Sequence, residues 1–197
     1  SVSVDITAPT VTGFDAPNNA DPTDCLSADE STSGGFDFVA TCNETGAFNV
    51  NANSLVVATS AAVAGFETSF QDVSLSDAVG LDLAATCEDR HGNISNAATL
   101  VLDVDTVAPV ITITAPATSP IVGGDSLDVA VASDALDQDV TLTSSLTGTA
   151  GPVTVDQDGL ALFDDATYGV LTDGTHILTA SVSDECGNAA QTTSGAI

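Results

Sequence analysis

Nearly every side chain here that could do chemistry is a carboxylate. The 197 residues hold 28 acids, 23 of them Asp, against a single base, Arg90, for a net formal charge of −27. Lys is absent. Carboxylates in such number suit two roles. Calcium takes six to eight oxygens, largely carboxylate and carbonyl, and acidic loops supply them. The alternative is a solvated or salt-adapted surface, in which Asp37, Asp82 and Asp128 simply face water. Asp156-Gln157-Asp158-Gly159 and the group Asp134, Asp137, Asp139 mark loops, but neither completes an EF-hand pattern.

The other reactive types are few. His91 and His176 stand far apart in sequence and read as one loop residue and one exposed strand residue. There is no G-x-S-x-G elbow, H-E-x-x-H pair or phosphate loop. One Arg and no Lys leave little but backbone or metal to steady a developing anion. A glycosidase would miss its aromatic platform, with no Trp and Tyr168 as the lone Tyr. The expectation is a protein that is not an enzyme. The charge excludes nucleic-acid binding through the phosphate backbone, which needs a cationic footprint. No apolar run approaches 18 residues, so membrane insertion by a helix is not expected. Four cysteines without Met or Trp suit an oxidising, extracellular setting and allow three pairings.

The elements that must position these groups are strands. Phe36, Phe38, Ala40 and Cys42 alternate with Asp37, Val39 and Thr41; Leu81, Leu83, Ala85 and Cys87 repeat the pattern, as do Leu127, Val129 and Val131. A two-residue period is a strand with one face in the core. The chain also repeats itself. Asp5-Ile6-Thr7-Ala8-Pro9 returns as Asp105-Thr106-Val107-Ala108-Pro109, and Pro17 and Pro22 are echoed by Pro116 and Pro120. Leu75-Ser76-Asp77 returns as Leu171-Thr172-Asp173, and Asp89-Arg90-His91-Gly92-Asn93 as Asp184-Glu185-Cys186-Gly187-Asn188. The predicted fold is therefore all-β, with two tandem antiparallel sandwiches over 1–104 and 105–197.

These residues resemble a known group. Asp105 to Pro109, Leu171-Thr172-Asp173-Gly174 through Ala180, Val182 and Asp184, and then Gly187-Asn188 are similar to the immunoglobulin-like repeats of bacterial secreted and surface proteins. The first copy departs by carrying Ala78-Val79-Gly80 in place of the Asp-Gly turn. The resemblance implies immunoglobulin-like sandwiches, in which Cys42 and Cys87 fall on strands B and F, where an inter-sheet disulfide belongs. Cys25 and Cys186 are left over; they pair across the junction, pair between molecules or stay free. Calcium at the linkers is likewise what the resemblance to adhesin repeats implies. The candidates are Asp77, Asp103, Asp105, Asp184 and Asn188 at the junction, and Asp5, Asp89 and Asn93 at the N-terminal pole.

Aligning the copies puts Ile197 at the position of Leu102, so the last strand reads as short, while Ser1, Val2, Ser3 and Val4 repeat the end of a preceding strand. Two readings stay open: a piece of a longer tandem array, or a subunit whose copies join head to tail. The functional expectation is a structural repeat unit of an extracellular filament or adhesin stalk at the cell surface, partnered by copies of itself. The alternative is an accessory carbohydrate- or protein-binding module of a secreted enzyme.

Overall fold

Alternation becomes sheet wherever an apolar series faces a partner. In strand β3 (Phe36–Cys42) every second residue is buried, and in β7 (Ala78–Asp89) Leu81, Leu83, Ala85 and Cys87 point inward. A computed structural model describes residues 4–17, 25–31, 34–115, 128–146, 148–164 and 174–197. The sequence features at Ser1 to Ser3, Pro22, Pro116, Pro120, Leu127, Tyr168 and Leu171 to Asp173 lie outside the described residues.

The chain divides into two units, Ser1–Thr106 and Val107–Ile197. The sequence placed the division after residue 104. Thr106 stays with the first unit because its N–H and hydroxyl both donate to Asp77 Oδ1, at 3.0 and 2.9 Å.

The first unit is an immunoglobulin-like sandwich. One sheet holds β1 (Val11–Asp15), β3 and β6 (Glu67–Val73). The other runs in the order β2 (Cys25–Leu26), β8 (Ala98–Val104), β7, β4 (Gly46–Ala52) and β5 (Leu55–Ala62). All pairings are antiparallel except β2 with β8. Between the sheets lies a core built on Phe36, Phe38, Phe48, Phe70 and the inward face of β7. Phe48 and Phe70 meet edge to face, with centroids 5.9 Å apart. Each such ring, fully withdrawn from water, contributes about 1.5–3 kcal/mol. Gly46 permits the closest backbone approach, since a Cβ there would fall on the Glu88 carbonyl.

The second unit repeats the plan. Strands β9 (Ile111–Ala115), β10 (Val129–Ser133) and β13 (Leu160–Phe163) form one sheet. Strands β12 (Gly148–Thr154), β11 (Asp139–Ser144), β14 (Leu178–Ser183) and β15 (Ala189–Thr193) form the other. Its core is smaller-grained, made of Val, Leu and Ala around Phe163. As expected, the last strand is short, five residues in β15 against seven in β8, but one further rung follows it: Ile197 N–H donates to the His176 carbonyl and its own carbonyl accepts the His176 N–H, both at 3.0 Å. That rung matches Leu81 against Leu102 in the first unit.

Candidate functional site

The acidic loops are built by Asp acting on its own backbone. In Asp89–Asn93, Asp89 N–H donates to the Asn93 carbonyl at 3.0 Å, and Gly92 N–H donates to the Asp89 carbonyl at 3.2 Å. Asp89 Oδ1 accepts from the N–H groups of His91 (2.7 Å) and Asn93 (2.9 Å), while Oδ2 accepts from Asn93 Nδ2 (2.7 Å). A short carboxylate reaches the N–H groups two and four residues on, and Gly92, at φ 88°, supplies the left-handed step that closes the turn.

The motif recurs twice in the second unit. Asp184 accepts from Asn188 N–H on Oδ1 and from Asn188 Nδ2 on Oδ2, both at 2.9 Å, with Gly187 at φ 89°. Asp156 Oδ1 accepts from the N–H groups of Asp158 and Leu160, also at 2.9 Å, with Gly159 at φ 79°. These carboxylates are turn braces first.

At the Asp156 loop Gln157 Nε2 donates to both carboxylate oxygens of Asp137 at 3.0 Å, and at the first loop the segment that leads into β1 joins. Asp5 precedes β1, and its carbonyl accepts from Asn93 Nδ2 at 3.2 Å. Its Oδ1 accepts Thr7 N–H at 3.0 Å, while Oδ2 lies 3.5 Å from His91 Nδ1. Asp5, Asp89 and His91 thereby bring three potential ligand atoms within 4.8 Å of one another. Asp89 is buried and the other two are partly exposed. The Asn93 side-chain amide holds the Asp89 carboxyl below the ordinary carboxylate range; burial opposes this, and the N–H groups of Asn93 and His91 reinforce it.

The structure thus gathers Asp5, Asp89 and Asn93 and adds His91, which sequence reasoning left as a plain loop residue. Its position between Asp89 and Asn93 was the available signal. As a calcium site the group is partial. It offers two carboxylates, both oxygens of Asp89 already accept hydrogen bonds, and an imidazole nitrogen is a poor ligand for so hard a cation. The junction candidates are each engaged within their own unit. Asp77 accepts from Thr106, Asp103 Oδ1 accepts Gly80 N–H at 2.5 Å, and Asp105 N–H donates to the Leu26 carbonyl at 3.0 Å. Asp184 and Asn188 brace each other.

Cys42 and Cys87 form a disulfide that joins β3 of one sheet to β7 of the other, with Cα atoms 6.4 Å apart. No cysteine is a free thiol. Of the residues expected in assembly, Val4 is exposed and Ile197 packs on the second core.

His176 corrects the sequence reading. It is 3% exposed rather than on a solvated strand face, and its Nδ1 lies 2.7 Å from Ser144 Oγ. The Ile197 pairing holds its backbone in the sheet, so its side chain shares the inward side of Leu178, Ala180 and Val182.

No protein-family model matches the sequence, and no curated protein matches it. Several solved structures are similar to it. One, from work on the host-cell-surface retention of a 1.5-MDa bacterial ice-binding adhesin, shares 20% identity at a TM-score of 0.48, covering 94% of this chain and 62% of that one. A Ca2+-stabilized adhesin that helps an Antarctic bacterium bind ice gives 23% identity and a TM-score of 0.49, covering 95% of this chain and 48% of that one. The fibronectin(III)-like modules of Clostridium thermocellum CbhA give 12% identity and a TM-score of 0.42, covering 94% and 90%. The chain spans less than two thirds of the length of the first two.

Proposed function

We propose that the chain is a structural, extracellular immunoglobulin-like repeat unit of a cell-surface filament or adhesin stalk, in which copies succeed one another head to tail. One observation carries this reading: both leads of the first unit are tied down at opposite ends of the same strand. Asp77, just before β7, holds Thr106 on the way out, and the loop that follows β7 from Asp89 to Asn93 holds Asp5 on the way in. The twelve residues of β7 span roughly 36 Å at ~3.3 Å per residue. Tension applied through the two leads therefore enters a long central strand, clasped near its C-terminal end by Cys42–Cys87, rather than peeling an edge. The disulfides support an oxidising, extracellular location, and the carboxylate surface keeps neighbouring molecules apart.

Calcium belongs to this reading at the Asp5–Asp89 pole, where Asp5, Asp89 and Asn93 would hold it, the cation adding charge neutralisation to a tie already made by hydrogen bonds. Cys25 and Cys186 are proposed as a second bridge, to be read by mass mapping of unreduced peptides; a Cys25 peptide recovered as a free thiol sinks it.

Deleting residues 1–4 tests the assembly. A filament former should lose assembly while both sandwiches melt as before. Unchanged assembly would refute the head-to-tail role of Ser1 to Val4.

A further inference from the structure

The two units answer a pulling force differently, because only the first contains a closed covalent loop. Cys42 and Cys87 are bonded at a sequence separation of 45. The second unit holds a single cysteine, Cys186, so no bridge can close within it. Tension on the first unit reaches β7 through hydrogen bonds, at Asp77–Thr106 and at Asn93–Asp5. Once those yield, the covalent path runs along β3 to Cys42, crosses the bridge and leaves from Cys87 toward β8. Strands β4, β5, β6 and β7 as far as Cys87 then lie in a branch that carries no tension. That branch holds back about 150 Å of extension, at ~3.4 Å per residue.

The sulfurs are shut away from solvent. Cys42 is 1% exposed and Cys87 0%. Each stands on an inner strand of its sheet: β3 lies between β1 and β6, and β7 between β8 and β4. Both belong to the core that holds Phe38, Phe48 and Phe70. Cleavage needs a thiolate to reach a sulfur, so a dissolved thiol has no access while the sheets are closed.

We propose that Cys42–Cys87 is a tension-gated redox stop. Intact, it limits how far the first unit extends, and it becomes reducible only when force parts the two sheets. Its use under load rests on the stalk reading, whereas the stop and its gating are properties of the single chain. The chemistry is thiol–disulfide exchange with a small thiol. Its thiolate bonds to one cysteine sulfur, and the other cysteine leaves as a thiolate. A second thiolate then attacks the small thiol's sulfur in that mixed disulfide and frees the first cysteine. Two small thiols are oxidised to one disulfide, and the protein disulfide is reduced to two thiols. In an oxidising exterior the stop persists through unfolding. Where thiols are present, a stretched chain gains length and a relaxed one does not.

Force spectroscopy of the full chain, held by its ends, supplies the test, with Cys25→Ser and Cys186→Ser introduced so that no other bridge contributes. Without reductant, the first unit's unfolding step should fall short of full extension by about 150 Å. Dithiothreitol added to the stretched chain should release that length in one further step and no other. In the relaxed wild-type chain the same reagent should open Cys42–Cys87 at least about 100-fold more slowly than in concentrated urea, because reduction follows the small population of open molecules. Mass mapping of alkylated peptides reads that rate, and this arm stands even if the serine variant does not fold. A full-length step before reductant, no added step after it, or equal reduction rates in the relaxed and urea-unfolded chain would each overturn the proposal.

Discussion

The two units share one strand plan and hold it together by different means. The first closes β3 with Cys42, bonded to Cys87 on β7. In the second, β10 ends in Ser133. Its match to Cys42 follows from the next residue: Asn43 Oδ1 accepts Thr10 N–H at 2.6 Å, and Asp134 Oδ1 accepts Val110 N–H at 2.7 Å. Val182 stands where Cys87 would be, and Ser133 Oγ accepts Ala135 N–H at 3.2 Å. Six of the seven Phe lie in the first unit and one, Phe163, in the second. The Asp–Gly–Asn loop brace appears in both. Turn chemistry therefore goes with the fold, whereas the clasp and the aromatic core are additions that one unit has and the other lacks.

Removing the clasp should produce the largest asymmetry. The bridge spans a sequence separation of 45, and opening it should cost the first unit about 4 kcal/mol in the chain-entropy model. Calorimetry of a Cys42→Ala, Cys87→Ala variant should show the first unit's transition lowered and the second's in place. A shift shared by both transitions would break the comparison. The converse is Phe163→Ala, which should cost the second unit about 3–5 kcal/mol, with the first unit unmoved. If the second unit tolerates that loss, its core is not organised around the ring.

Metal sharpens the contrast next. Calcium added at matched ionic strength should raise the first unit's melting temperature by a few degrees, since a ligand bound only to the folded state stabilises it. Asp5→Asn should abolish the rise. Equal melting with calcium and with chelator removes calcium from the account.

The smallest effect is a pH dependence at Asp89. Its carboxyl is held low chiefly by the Asn93 side chain. A depressed folded value means stability that is present above the unfolded value, about 3.9, and lost as pH falls through the folded one. The stability gap between wild type and Asp89→Asn should therefore be constant near neutrality and shrink below about pH 4. A gap that widens on acidification would reverse the assignment.

Much of this was legible in residue order. Alternation placed Phe36, Phe38, Leu81 and Leu83 inward, because a strand with one wet face must show a period of two. The same parity places His176 with Leu178 and Ala180; the polarity of its ring hid the signal, and Ser144 satisfies that ring inside. Strand β2 has two residues and no period to detect, and its parallel pairing with β8 is fixed by tertiary contact. The carboxylates carry two meanings at once. Asp beside Gly and Asn suggests metal, yet the spacing that lets Asp bind calcium also lets it cap its own turn, and hydrogen bonds made by Asp184 and Asp156 are of the second kind. Asp5 against His91 joins residues far apart in sequence; the resemblance to adhesin repeats groups Asp5 with Asp89 and Asn93, and His91 lies between those two.

Negative-stain electron microscopy of the protein purified from its native source tests the structural-repeat reading most directly. The account predicts fibres or extended end-to-end arrays. Monodisperse particles, unchanged by protein concentration and salt, would contradict it and favour an accessory binding module.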